Sequence, residues 1–313
     1  MTDFNECKAD QLTTEARNPR SAEIDQLSTL EIVKLINSED GRVAEAVGAV
    51  SSSIAQAIEV IADRLSSGGR LIYIGAGTSG RLGVLDAVEC PPTFNTRPGQ
   101  VTGLIAGGEK GLTRAVEGAE DSAEQGAQDL QGIGLCDGDV VVGIAASGCT
   151  PYVLGALDFA RRSGAFAIGL SCNRDAELKR HSDLAIIPVV GPEVLSGSTR
   201  MKAGTATKMV LNMLSTGAMV RLGKTYSNLM VDLQATNSKL AERVVGIVEL
   251  LTGCSRSAAI ELLDRCGGEL KTAIVAQKLD LSPASARSRL NAADEHLRRT
   301  LETGNPATKG TST

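Results

Sequence analysis

Residues 70–83 read RLIYIGAGTSGRLG, and their pattern indicates the class of fold. The apolar run at 71–74 carries no charge, which is typical of a strand buried on both faces in a parallel sheet. The glycines that follow allow a tight turn, and Thr78 and Ser79 stand where a helix would begin. The stretch therefore predicts a strand–loop–helix unit of an α/β fold, whose loop offers backbone N–H groups and hydroxyls to a phosphate group.

The same pattern recurs along the chain. Short apolar runs, each followed by a turn, lie at 101–106, 140–145, 165–170 and 184–190. Together with the first run they predict a five-stranded parallel sheet covered by helices on both faces, a three-layer α/β sandwich. Ligands bind such sheets at the carboxyl ends of the strands, so we expect a site in the loops after the strands.

Helical patterns surround the predicted sheet. Ser28 and Glu31 form a capping box near the chain start, a long amphipathic helix is predicted at 203–222, and Pro283 marks the first turn of a late helix. We expect four regions, namely a helical N-terminal arm, the sheet domain, a small three-helix module and a disordered tail, at 1–67, 68–252, 253–303 and 304–313 respectively.

The composition excludes several classes of protein. The 32 Lys and Arg against 37 Asp and Glu give a net charge of −5, and with 2% aromatic residues the chain lacks the features of a nucleic-acid binder. No apolar run approaches the ~20 residues that cross a bilayer, and the acidic start is unlike a secretory signal, so we expect no membrane partner and a cytoplasmic location. The seven cysteines include no CxxC pair, and His181 and His296 are far apart, so we expect neither a metal site nor a cofactor.

Two hydroxyl-bearing loops follow strands that are predicted to be neighbours. The first contains Thr78 and Ser79, and the second, which reads ASGCTP, contains Ser147 and Thr150. Each loop precedes a helix whose N-terminal N–H groups attract an anion, so together they predict one phosphoryl group held between them. Helix capping is the alternative role for these residues. The first loop also has the GxGxxG spacing of dinucleotide-binding folds, but no acidic residue closes the next strand.

A third loop precedes the predicted long helix. Residues 193–204 read EVLSGSTRMKAG and contain Glu193, Ser198, Arg200 and Lys202. Such hydroxyl and charged groups can hold an oxygen-rich ligand such as a sugar, so Glu193 and Ser198 are candidate substrate-binding residues. A solvated helix cap with ordinary surface charges is the alternative.

Two carboxylate positions are candidates for proton transfer. Glu89 precedes Cys90-Pro91-Pro92, and these prolines are expected to end a helix and hold the carboxylate in partly apolar surroundings near the first loop, as suits a general acid. Glu117, Glu120 and Asp121 have a spacing that predicts one shared helix face, from which a base can act. A solvated helix face is the alternative for each position.

Five long motifs follow one another along the chain. They are TEARNP at 14–19, IYIGAGTSGRLG at 72–83, ECPPT at 89–93, AVEGAEDS at 115–122 and STRMKAGT at 198–205. In this order they closely resemble the N-acetylmuramic acid 6-phosphate etherase family, with a match from about residue 12 to residue 301. The resemblance implies a sugar isomerase (SIS) fold, and the C-terminal helices resemble the ubiquitin-associated-type module of this family.

The resemblance also implies an activity. It is that of a lyase which removes D-lactate from N-acetylmuramic acid 6-phosphate with water, leaving N-acetylglucosamine 6-phosphate, in bacterial cell-wall recycling. By motif, Glu89 corresponds to the catalytic acid and Glu120 to the second catalytic carboxylate. Relatives commonly have Arg at the position of Cys149, so a cationic contribution from that loop is not expected, although Ser147 and Thr150 remain. The resemblance further implies a homodimer in which loops from both chains shape each site.

The implied chemistry needs no metal or redox cofactor. When the sugar ring opens, C1 becomes an aldehyde, the C2 proton becomes acidic, and the lactyl ether lies β to a carbonyl. Elimination then needs only a base at C2 and an acid at the ether oxygen. Two alternatives use a similar site: a non-catalytic sugar-phosphate sensor resembling glucokinase regulatory protein, and an aldose–ketose isomerase. The regulator has tandem SIS domains where this chain has one, and an isomerase has no need to expel a C3 substituent.

Overall fold

The computed structural model describes residues 12–233 and 238–303, which form two compact units. The first unit comprises Met1–Val88 and Pro98–Gly217, and the second comprises Glu89–Arg97 and Ala218–Thr313. The helical arm therefore belongs to the first unit, and the second unit begins well before the boundary expected at 253. The predicted disordered tail lies outside the described residues.

The first unit is built on a parallel sheet. Its strands are β1 (Leu71–Gly75), β2 (Val101–Ile105), β3 (Val140–Ile144), β4 (Phe166–Leu170) and β5 (Leu184–Ile186), in the order β2-β1-β3-β4-β5. The predicted five-stranded parallel sheet is confirmed, although β5 is shorter than its apolar run. β1 and β3 are buried along their whole length, as uninterrupted apolar runs predict.

Helices precede the sheet and connect its strands. They are α1 (Thr29–Asp40), α2 (Val43–Gly48), α3 (Ser51–Ser66), α4 (Gly77–Phe94), α5 (Gly108–Thr113), α6 (Ala123–Gly132), α7 (Pro151–Arg162), α8 (Leu178–His181) and α9 (Lys202–Arg221). The capping box is present at the start of α1, where the side chains of Ser28 and Glu31 each accept a hydrogen bond from the other residue's backbone N–H. The predicted long amphipathic helix corresponds to α9.

Helix α4 differs from the expectation. It runs through Pro91 and Pro92 to Phe94 instead of ending before them. A proline lacks its own N–H donor but keeps its carbonyl, and the carbonyl of Pro91 accepts a hydrogen bond from Asn95. The prolines therefore do not interrupt the last turn of the helix.

The strand order reverses between β1 and β3. β2 lies on one side of β1, whereas β3, the next strand along the chain, lies on the other side. Gly75 and Ile144, the last residues of these two strands, are in register. The loops after them leave the sheet in different directions, and a crevice between two such loops is the usual ligand site of an open α/β sheet.

The second unit contains a small hairpin and a group of helices. They are β6 (Thr225–Tyr226), β7 (Leu229–Met230), α10 (Ser238–Thr252), α11 (Arg256–Arg265), α12 (Leu270–Leu279), α13 (Pro283–Ala292) and α14 (Leu297–Glu302). α11, α12 and α13 are the three predicted helices, and α10 joins them because Val248 is buried in the same core as Leu262 and Ile274. α14 adds a fifth helix, set off from α13 where Asp294 and Glu295 adopt positive φ.

Among the described residues, no single helix is long and apolar enough to cross a membrane. The segments Thr29–Gly48 and Ser51–Ser66 reach the required length and composition only as a pair, with a bend of 60° between them. In α3, Ile54, Ile61 and Leu65 from this pair are buried in the protein.

Candidate active site

A cavity of about 250 Å³ lies at the carboxyl ends of β1 and β3. Thr78 and Ser79, in the first turn of α4, line it together with Ser147 and Thr150, from the loop between β3 and α7. The structure therefore brings the four predicted phosphate-binding residues to one place. The volume is just below the ~300–1,000 Å³ range of small-molecule sites, which suits a sugar phosphate better than a dinucleotide.

The loop between β3 and α7 has a shape suited to an anion. Thr150 is the N-cap residue of α7, but its side chain makes no capping hydrogen bond, so its hydroxyl remains available to a ligand. Gly148 has φ +80°, and a Cβ there would lie 2.3 Å from the Cβ of Ala176, so the loop requires glycine. The capping alternative therefore does not account for Thr150.

The described residues that line this cavity include two carboxylates and no Lys or Arg. The carboxylates are Glu15, from the N-terminal arm, and Glu120. Both side chains are exposed, so neither carries the cost of burying a charge. A phosphate in the cavity would be held by hydroxyls and by the N–H groups at the starts of α4 and α7, where the helix dipoles favour an anion.

Glu193 is fully buried and caps α9. Its two carboxylate oxygens accept hydrogen bonds from the N–H groups of Lys202 and Ala203, each at 2.9 Å. Its oxygens are thus used within the protein, which differs from the expected direct contact with a sugar. Burial and the Glu193 charge raise the pKa of the Cys172 thiol to about 12, so Cys172 is not a thiolate nucleophile.

Lys202 forms a buried ion pair instead of facing a ligand. Its Nζ lies 2.7 Å from Oε2 of Glu39, and both side chains are only 1% exposed. Asn18 donates a hydrogen bond to the same oxygen at 2.9 Å, and Arg20 lies 2.9 Å from Oε1. Burial raises the pKa of Glu39, but the hydrogen bond and charge of Lys202, together with the Asn18 hydrogen bond and the Arg20 charge, outweigh it and hold that pKa below its ordinary value. The pair therefore joins the N-terminal arm to the start of α9.

The rest of the third loop contributes two residues, Thr199 and Gly204, to the cavity lining. Thr199 lines the cavity, and so does Thr207, which is 3% exposed and lies on α9. Ser198 is half-buried beside Thr199, and Arg200 is exposed. The loop therefore brings a hydroxyl residue to the site, whereas its two cationic residues, Arg200 and Lys202, do not line the cavity.

The segment after α5 does not form the helix face expected for three carboxylates. Gly118 has φ +71°, and a short 3-10 helix, Ala119–Asp121, follows it. A left-handed residue interrupts helical periodicity, so the spacing of Glu117, Glu120 and Asp121 does not place them on one helix face. Glu120 lines the cavity with the phosphate loops, whereas Glu117 lines a neighbouring cavity that Glu120 also borders.

Glu89 lies on α4, within the second unit, and its side chain is exposed. The partly apolar surroundings expected for it are therefore not observed. The reason is that α4 continues past the prolines, so that Glu89 occupies a solvent-facing position of a regular helix.

Known proteins are similar in sequence to this chain over almost its whole length. An N-acetylmuramic acid 6-phosphate etherase from Rhodopirellula baltica is 60% identical to this chain over 293 residues, which are 94% of this chain and 97% of that protein. Another from Klebsiella aerogenes is 56% identical over 290 residues, covering 93% and 97% of the two chains. This chain belongs to the N-acetylmuramic acid 6-phosphate etherase family. A family model described as the glucokinase regulatory protein N-terminal SIS domain also matches residues 53–161, so the SIS fold is confirmed.

Three polar side chains that line the cavity of this etherase-family chain were absent from the sequence prediction of the site: Glu15, Thr199 and Thr207. Glu15 and Thr199 lie inside TEARNP and STRMKAGT, two of the motifs that carry the family resemblance, so the motifs held the signal. Thr207 lies inside the predicted helix at 203–222, between Ala206 and Lys208, and belongs to no motif that predicts a site. Within the described ranges, no group of three or more His, Cys, Asp or Glu side chains is placed to hold a metal ion.

Proposed function

We propose that this chain is a lyase that acts on N-acetylmuramic acid 6-phosphate. It cleaves the D-lactyl ether with water, by elimination and then hydration, and gives N-acetylglucosamine 6-phosphate and D-lactate in cell-wall recycling. The observation that carries the proposal is that the Glu120 carboxylate lines the same cavity as the four hydroxyl residues of the phosphate loops. The 60% identity with the Rhodopirellula baltica etherase supports the same substrate.

Thr78, Ser79, Ser147 and Thr150 bind the 6-phosphate. Hydrogen bonds from hydroxyls and N–H groups to a charged phosphate are short and strong, and two helix N-termini add favourable dipoles. Ser198 is a further candidate contact because it adjoins Thr199 in the cavity wall. Glu193 contributes indirectly, since it fixes the start of α9 and hence the end of that loop.

Glu120 and Glu89 carry the two proton transfers. Glu120 removes the C2 proton of the open-chain sugar, and the electron pair of the C2–H bond is delocalised onto the C1 carbonyl as an enolate. The enolate electrons then form the C2–C3 double bond as the C3–O bond breaks. Glu89 gives its proton to the departing ether oxygen, which completes D-lactate. Water then adds its hydroxyl group at C3 and gives its other proton to Glu89, while Glu120 returns its proton to C2, giving N-acetylglucosamine 6-phosphate and restoring both carboxyl groups.

Release of D-lactate from N-acetylmuramic acid 6-phosphate tests this function. The purified chain should release lactate and form N-acetylglucosamine 6-phosphate in equal amounts. An aldose–ketose isomerase would give a ketose phosphate with the lactyl ether intact, and a sensor would bind the sugar phosphate without turnover. Either of these results would overturn the proposal.

The chain is further proposed to act as a cytoplasmic homodimer. The groove between α3 and α9 supports the pairing of two chains, because it is lined by Ile54, Ile58, Met209 and Met213. The substrate class supports the location, since the phosphorylated sugar is a metabolite of the cell interior. Fractionation of the source cells, with lactate release as the assay, tests the location.

A further inference from the structure

The N-terminal arm brings a second carboxylate into the candidate active site. Glu15 lines the same cavity as Thr78, Ser147 and Glu120, although it lies more than sixty residues before the sheet loops. Its carboxylate lies against the loop before α9, because a Cβ at Gly197 would be 2.9 Å from Oε2 of Glu15. Gly197 has φ +78°, so a residue without a side chain gives this carboxylate its room.

The arm is fixed on both sides of Glu15. On one side, the N–H of Thr13 donates to Oδ1 of Asn173 at 3.1 Å, and Nδ2 of Asn173 donates to the carbonyl of Ser147, also at 3.1 Å. On the other side, Asn18 donates to the buried Glu39 at 2.9 Å. The segment around Glu15 is thus held by hydrogen bonds that connect it to the phosphate loop through the Asn173 side chain and to the start of α9 through Glu39 and Lys202.

The chemistry of the cavity determines what Glu15 can contact. An ionised carboxylate is only an acceptor, and it repels a phosphate dianion, so it does not belong to the phosphate contacts. Within the described residues its oxygens have no hydrogen-bond or ion-pair partner, and its side chain is exposed. The Glu15 carboxylate can therefore accept hydrogen bonds from a ligand that has O–H groups. A sugar phosphate has such groups on the carbon chain next to the phosphate.

We infer that Glu15 is a substrate-binding residue which accepts hydrogen bonds from hydroxyl groups of the sugar chain while the phosphate loops hold the 6-phosphate. This inference rests on the proposed function for the identity of the sugar. It gives the cavity two carboxylates with separate tasks: Glu120 acts at C2, and Glu15 sets the position of the carbon chain. Glu15 therefore contributes specificity for a sugar phosphate over phosphate alone.

Binding of two ligands to Glu15 variants tests this inference. The product N-acetylglucosamine 6-phosphate and inorganic phosphate are titrated by calorimetry into the wild-type chain, Glu15→Ala and Glu15→Gln. We expect Glu15→Ala to weaken binding of the sugar phosphate roughly 10- to 100-fold, as for a lost hydrogen bond to a charged group, while phosphate binding is not weakened, because a repelling charge has been removed. Glu15→Gln keeps one acceptor oxygen and should lose less. Glu23→Gln, an exposed glutamate elsewhere on the arm, is the matched control and should bind both ligands as the wild type does.

Each other result overturns the inference. Equal loss of both ligands would mean that Glu15 acts by positioning the loops, and no loss of either would mean that it does not contact the sugar. A wild-type chain that binds the sugar phosphate no more tightly than phosphate would also refute it. Failure of the proposed function is seen separately, as absence of lactate release by the wild-type chain.

Discussion

Glu120 and Glu89 lie in different surroundings, and the two proton transfers assigned to them can be measured separately. Deuterium exchange at C2 measures the step of the base, and lactate release also requires the step of the acid. Glu89→Gln should still exchange the C2 proton for solvent deuterium, because the base is intact, but it should fail to release lactate. Glu120→Gln should lose both exchange and release. Loss of general acid or base catalysis lowers kcat by the order of 10²–10⁴. Deuterium incorporation is followed by mass spectrometry and lactate by an enzymatic assay.

Glu117→Gln is the control for this pair, since Glu117 borders only the neighbouring cavity. It should keep both exchange and lactate release. Exchange that survives in Glu120→Gln but disappears in Glu89→Gln would reverse the two roles. Normal lactate release by either variant would remove that residue from the mechanism.

Ser79 is expected to bind the 6-phosphate through a single hydroxyl. Ser79→Ala removes one hydrogen bond to a charged group, worth about 1.5–3 kcal/mol, so KM for N-acetylmuramic acid 6-phosphate should rise roughly 10- to 100-fold. Ser66→Ala, at an exposed hydroxyl at the end of α3, should leave KM unchanged. Equal turnover of unphosphorylated N-acetylmuramic acid would contradict the assignment of this cavity to a phosphate.

For single residues, the sequence predicts a place in the site where that place follows from the sheet. Thr78, Ser79, Ser147 and Thr150 follow strand ends, and parallel strands place such loops side by side. Lys202 could not be assigned in this way, because its partner Glu39 lies 163 residues away and only the fold brings them together. A lysine with a free charge and a lysine in a buried ion pair cannot be told apart in a sequence.

The Glu39–Lys202 pair connects two elements, the N-terminal arm at α1 and the start of α9. Lys202→Met keeps an apolar stem but leaves Glu39 without its buried cation, so that Asn18 and the more exposed Arg20 and Arg42 remain as its partners. Removing one partner of a buried pair typically costs about 3–5 kcal/mol, so the free energy of unfolding in urea should fall by that order. Lys34→Met, at an exposed position of α1, should change it by less than about 0.5 kcal/mol. An unchanged unfolding midpoint for Lys202→Met would refute the role of the pair.

The same pair predicts a dependence of stability on pH. The pKa of Glu39 is lower in the folded protein than its ordinary value of 4.5, so the folded state binds fewer protons than the unfolded state. This contribution to stability is complete above that value and is lost as the pH falls through and below it. The difference in unfolding free energy between the wild type and Lys202→Met should therefore narrow below pH 4.5. A difference that stays constant from neutral to acid pH would contradict this.

Strands and helix ends were predictable where a short stretch of sequence is enough to determine them. The five strands were found because each is a short apolar run, and the start of α13 because Ser282 and Pro283 mark it. The end of α4 was misplaced because proline was expected to stop a helix, whereas here the helix continues to Phe94. α14 was not found because non-glycine residues with positive φ leave no clear pattern in a sequence.

The division of the whole molecule was harder to predict than its elements. The boundary expected at 253 followed a change in helix length, but α10 shares a core with α11 and α12 through Val244 and Val248. Periodicity shows that α10 has an apolar face without showing which helices cover it. The unit that begins at Ala218 is therefore a result of packing, visible only in the structure.

The exposed apolar groove between α3 and α9 is the basis for predicting a dimer. Met213 is 41% exposed on α9, beside Ile58 of α3, and a Cβ at Gly217 would lie 2.6 Å from Ile58 Cδ1, so the two helices approach closely beneath the groove. Covering such a groove with the same face of a second chain gives a closed two-fold pair and removes apolar surface from water. Sedimentation at micromolar concentration should therefore show a species of twice the 32.5 kDa chain mass.

Met213→Glu tests whether this groove is the interface. A charge placed in a buried apolar contact must be desolvated without a partner, so the variant should sediment as a single chain of 32.5 kDa. Because Met213 is exposed in the isolated chain, the substitution should leave its thermal unfolding midpoint nearly unchanged when monomers are compared. Val33→Glu, at another exposed apolar residue on α1 and outside the groove, should remain a dimer. A wild-type chain that sediments only as a monomer would refute the dimer, and a dimeric Met213→Glu would place the interface on another face.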